Sequence, residues 1–90
     1  MEEKFLAAAE IARRNAADLG VRIHPVADMK AAHRILSGSR ESDGFWALAD
    51  KGRLDLSLEA LAVKKQFTSL FTDEEANTAL DRLLNAGYFK

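Results

Sequence analysis

Ninety residues with a formal net charge of −1, 48% of them apolar and 30% charged, describe one folded domain with a single core and exclude a disordered chain. The absence of cysteine removes disulfides, thiolate nucleophiles and cysteine-held zinc, and no apolar run approaches the ~20 residues of a membrane span. Near-neutral charge argues against a general attraction to polyanions, and the acidic opening MEEKFLAAAE is unlike a secretory leader, so a cytoplasmic protein is expected.

The segment EEKFLAAAEIARRNAADLG predicts an amphipathic helix. Phe5, Ala8, Ala9, Ala12, Ala16 and Leu19 fall in one stripe, and Glu3, Glu10, Arg14 and Asp18 lie opposite it. Glu10 and Arg14 stand one turn apart in the favourable order, and Gly20 supplies the left-handed residue that commonly ends a helix. VRIHPV follows as an extended segment, because Pro25 biases His24 away from helical angles. A second helix is expected from about Val26 or Asp28 to Leu36, closed by Ser37 and Gly38, with His33 inside its apolar stripe.

SGSRESDG reads as a loop, after which Ser42 or Asp43 is placed to cap a short helix through Trp46, Leu48 and Ala49 that stops at Gly52. The alternation of Leu54, Leu56 and Leu58 fits a brief strand or a plain approach to the next helix. Ser57 is an N-cap for a fourth helix with Glu59 in its first turn and Lys64 and Lys65 near its end, matching the helix dipole. Its two apolar stripes, Leu58/Leu61/Ala62 and Ala60/Val63/Phe67, place it centrally. In FTDEEANTALDRLLNAGYF, Thr72 and Glu75 form a reciprocal capping box, Phe71 takes the staple position, and Gly87 is placed for a Schellman stop with Tyr88 against Leu83. The expected fold is therefore mainly α, a single small domain of about five short helices over residues 1–90, with room for very short extended segments near 21–24 and 53–56.

Candidate chemistry is sparse, and no motif is specific enough to point to a family. The last two helices have a helix-turn-helix outline, but the turn that would face phosphates is Asp73, Glu74 and Glu75, which repel them. Basic residues outnumber acidic ones six to four between residues 21 and 53. Arg22, Lys30, Arg34, Arg40 and Arg53 make a modest anion-binding set there, and SGSR offers backbone N–H groups beside a guanidinium. Glu41 and Asp43 compete for that guanidinium. His24 and His33 lack metal-ligand spacing, and His33 is expected to be a partly buried histidine with one ring nitrogen hydrogen-bonded. Ser37, Ser39 and Ser42 lie in no nucleophile motif, so neither catalysis nor a cofactor is expected.

Trp46 flanks the Phe45/Leu48/Ala49 stripe, which predicts a ring buried as a core anchor, with an interface role as the alternative. Apolar residues beyond the needs of a small core remain in the first helix and in Phe67, Leu70, Phe71, Tyr88 and Phe89. Together with Trp46 and Arg40 they are the interface candidates. The expected function is a protein-interaction domain binding a protein partner or a second copy of itself through apolar helix faces; the alternative is nucleic-acid or anion binding, and no membrane partner is expected.

Overall fold

Three helices end in the same way, and those ends set the path of the chain. In the computed structural model, which describes residues 2–88, α1 runs from Glu2 to Asp18, α2 from Met29 to Ser37, α3 from Phe45 to Asp50, α4 from Leu58 to Ala62 and α5 from Asp73 to Asn85. After α5, Gly87 takes a φ of 80° while the Tyr88 N–H reaches the Leu83 carbonyl at 3.0 Å and the Gly87 N–H reaches that of Leu84 at 3.0 Å. This is a complete Schellman motif, and the same bonding closes α1 at Ala16/Ala17 and α3 at Leu48/Ala49. The start of α5 is also as expected: the Glu75 N–H donates to Thr72 Oγ1 at 3.1 Å and the Thr72 N–H donates to Glu75 Oε1 at 2.8 Å.

The fold is a small single domain, mainly α, with no strand among the described residues. Residues 21–27 cross between α1 and α2 as irregular chain, and α2 begins at Met29 because Asp28 caps it, its Oδ1 accepting the Ala31 N–H at 2.9 Å. The Leu54/Leu56/Leu58 alternation belongs to a 3₁₀ turn over Leu54–Leu56 and the start of α4, not to a strand. No neighbouring strand is there to pair with, and the turn satisfies its own Ser57 N–H on the Leu54 carbonyl at 2.9 Å while burying all three leucines. The fourth helix is shorter than its apolar stripes suggest. It stops at Ala62, and the turns that follow carry Phe67 onto Phe5, with ring centroids 5.3 Å apart.

α5 packs on α4 and α2, while α1 packs on α4 and the 54–56 turn. Phe5 meets the edges of both Phe67 and Phe71, at 5.3 and 5.1 Å. Phe67 and Phe71 are therefore core residues rather than interface residues, and Leu70 is half-buried against the same core. No helix among the described residues is long and apolar enough to cross a membrane.

The third helix departs from expectation in a way that matters for the surface. Gly44, in the left-handed region with a φ of 75°, precedes Phe45, and neither Ser42 nor Asp43 caps the helix. Both side chains are drawn away by tertiary partners: Ser42 bonds Glu59, and Asp43 Oδ2 accepts the His24 N–H at 2.8 Å. Phe45 then points inward at 1% exposure and Trp46 outward at 52%, so the core anchor is Phe45, with the Trp46 ring edge-on against it at 5.3 Å.

Candidate functional site

A buried polar network organises one end of the molecule. Glu59 lies in LEALA with no exposed surface, and its carboxylate accepts the Ser42 N–H at 2.7 Å, the Ser42 hydroxyl, and Arg82 Nη1 at 3.0 Å. Arg82 also donates to the Ile35 and Gly38 carbonyls, at 3.3 and 2.8 Å. Both carbonyls lie at the C-terminal end of α2, where the Gly38 N–H also reaches that of Ile35, and a cation there complements the helix dipole. A buried carboxylate is tolerated only when its oxygens are bonded and its charge is paired, and both conditions hold here. Among the described residues no buried side-chain polar atom lacks a partner.

The network clamps the loop after α2 at both ends, through Gly38 and Ser42, and that loop forms one wall of a cleft of about 410 Å³. The hydrocarbon base is Leu56, Leu58 and Leu61; Ala9 and Arg13 of α1, Ile23 to Val26, and Arg34 and Ile35 of α2 complete the surround. That volume falls within the range of sites that hold small ligands or a few partner side chains, and a mainly apolar lining with a few polar groups is their usual composition. A second groove, between α1 and Gln66–Phe67, is lined by hydrocarbon, Lys4 and Gln66.

Of the five basic residues singled out in the sequence, Arg34 and Arg40 line the cleft; Arg22, Lys30 and Arg53 do not, and Arg53 is occupied by Asp55 at 3.1 Å. Neither the Arg34 nor the Arg40 side chain forms an ion pair or hydrogen bond among the described residues. The competition expected from Glu41 and Asp43 does not arise. Arg13, the third guanidinium at the cleft, is held by Glu10, its Nε 2.8 Å from Oε1. The Arg13 side chain, with Arg14 beside it, lowers the Glu10 carboxyl to about 2.

His33 is partly buried with one ring nitrogen bonded, as expected. Its Nδ1 lies 2.8 Å from Glu75 Oε2, and since a carboxylate only accepts, Nδ1 carries the hydrogen. The ring rests against the Phe71 edge at 5.2 Å. Burial by itself would raise the Glu75 carboxyl, but the Thr72 N–H and the His33 ring outweigh it and hold the group below its ordinary value. His33 does not line the cleft, and among the described residues no group of three potential metal ligands occurs.

The interface candidates are thus dispersed. Trp46 is exposed on α3, Arg40 stands at the cleft, Phe67 and Phe71 are inside, Leu70 is half-buried, Tyr88 is partly exposed, and Phe89 lies outside the described residues. Among the described residues the other exposed large apolar side chains are Ile11 on α1 and Leu80 and Leu84 on α5.

Glu59 and Arg82 escaped the sequence reading, though a signal was present: a lone carboxylate in LEALA, between two apolar stripes, has to find a buried partner. No protein-family model matches the chain, and neither a curated protein nor a solved structure matches it.

Proposed function

We propose that the protein is a small cytoplasmic interaction module, without a catalytic role, that seats apolar side chains of a partner protein in the cleft between α1, residues 23–26, α2 and α4. One observation carries this reading: a hydrocarbon-based cleft of about 410 Å³ whose wall is fixed by a fully bonded buried ion pair. A wall held in place before binding lowers the ordering cost of association. The cleft lining does hold serines, His24 and carboxylates, but the Ser42 hydroxyl donates to Glu59 and His24 meets Asp43 through its backbone N–H rather than its ring, so no bonded serine–histidine pair lies there among the described residues. Nucleic-acid binding gains less support, because only Arg34 and Arg40 of the five basic residues line the cleft, beside Glu41 and Asp43, and Arg53 is paired with Asp55.

Selection from a displayed library of random peptides tests the proposal. Enriched peptides carry bulky apolar residues, and Val26→Glu, which puts a carboxylate at a half-buried position of the cleft, abolishes their binding while leaving the helical circular dichroism intact. Failure to enrich any peptide, or equal binding to the folded Val26→Glu protein, contradicts it. Self-association is the second reading, drawn from Leu80 and Leu84, one turn apart and exposed on α5. Light scattering at rising concentration decides it, and a constant monomer mass removes it.

A further inference from the structure

We infer that the segment taken up by the cleft is acidic, with Asp or Glu side chains flanking its apolar residues and pairing with Arg34 and Arg40. This rests on the reading of the cleft as a peptide site and adds the charge that the peptide must carry.

Arg13 shares Glu10 with Arg14, Arg53 is bound by Asp55 and Arg82 by Glu59, so each already has a carboxylate. Arg34 and Arg40 line the cleft and have none among the described residues, although Glu41 and Asp43 stand close in sequence to Arg40. Asp43 instead accepts the His24 N–H, which leaves Glu41 as the cleft carboxylate without a partner. Lys30, one turn before Arg34 on α2, is exposed and also unpaired among the described residues, and it extends the positive side.

Position supports the same conclusion. Arg40 lies between Gly38 and Ser42, the two points at which the buried network holds the loop, and Arg34 projects from the last turn of α2. Both guanidinium groups are therefore carried by restrained backbone beside hydrocarbon, where a carboxylate can be taken in two-pronged fashion at reduced entropic cost. A neutral apolar segment would fill the same base and leave both exposed guanidinium groups to water, and a basic one would gain Glu41 while facing both arginines.

The test uses the same random peptide library against the whole protein, its Arg34→Gln and Arg40→Gln forms, and an Arg34→Glu/Arg40→Glu form. Since neither guanidinium forms an ion pair or hydrogen bond in the fold, the two Gln forms melt close to the wild type, and the double Glu form, which puts a carboxylate in the last turn of α2, stays folded with a slightly lower melting temperature. The wild type enriches Asp and Glu beside apolar residues. Each single neutralisation weakens the enriched peptides about two- to fivefold, as expected of pairs at a wetted rim, and the loss shrinks as salt is raised. The double reversal enriches Lys and Arg instead. Enriched peptides that lack acid, or a charge preference unmoved by the reversal, overturn the inference while the cleft reading survives through its sensitivity to Val26→Glu. An empty selection overturns both, and cleft binding of a medium-chain fatty acid in that case assigns the site to a free small anion.

Discussion

Arg82 on α5 and Glu59 on α4 meet at 3.0 Å with side chains 8% and 0% exposed, and this pair joins the helical core to the wall of the cleft. Through Arg82 it holds the last carbonyls of α2, and through Glu59 it holds Ser42. Removing one partner leaves the other charged and buried, so Arg82→Ala or Glu59→Ala costs about 3–5 kcal/mol, a large part of the roughly 5–15 kcal/mol typical of a domain. Replacing both with Leu and Met costs less than the two single losses added together. Urea denaturation of the cycle checks this, and strict additivity counts against a coupled pair.

The Glu75 carboxyl gives a pH dependence of definite sign. Its pKa is lower in the folded protein than the ordinary 4.5, so the folded state binds its proton less readily than the unfolded state does. The stabilisation is complete above 4.5 and is lost as pH falls through the lower folded value. Glu75→Gln keeps an oxygen for the Thr72 N–H but removes the charge facing His33. Its urea midpoint should lie below that of the wild type at neutral pH and converge on it in acid. Parallel curves would contradict the assignment.

Gly44 and Gly20 separate conformational strain from crowding. Both have positive φ, 75° and 84°, but a Cβ on Gly44 would sit 2.9 Å from the Ile23 side chain and 3.0 Å from that of Val21, whereas nothing lies within 4 Å at Gly20. Gly20→Ala should cost about 1–2 kcal/mol for the left-handed backbone alone. Gly44→Ala should cost more. Equal losses in thermal unfolding would show that the contact with residues 21–23 is not tight.

Phe45 and Trp46 divide the aromatic roles of α3. Phe45→Ala should cost about 3–5 kcal/mol and Trp46→Ala roughly 1 kcal/mol or less. Because Trp46 is the single tryptophan, native emission reads its environment directly: a red-shifted, readily quenched signal is expected, and a blue-shifted, protected one would return the ring to the core.

How much of this was legible in the sequence follows from whether the signals were local. α5 carried its start in Thr72 and Glu75 and its stop in Gly87, each bonded only to residues a few positions away along the chain, and it formed as read. α3 kept its Phe45/Leu48 stripe and its stop at Gly52 but not its start: its apparent caps, Ser42 and Asp43, were claimed by Glu59 and His24, and Trp46, at the flank of the stripe, turned outward instead of joining it. The surplus of Phe67 and Phe71 disappeared because the turns after α4 fold both onto Phe5. Arg34 and Arg40 were readable as cations, but the cleft that unites them comes from α1, the 23–26 crossing, α2 and α4, and no local motif encodes it.

The cleft as the place of binding is the claim on which the functional account stands, and an amide NMR titration of isotope-labelled protein with a library-selected peptide tests it most directly. Shifts concentrated at Ile23–Val26, Arg34–Asp43 and Leu56–Leu61 are the predicted result. Shifts centred on Ile11 or on Leu80 and Leu84, with those cleft segments unmoved, would contradict it.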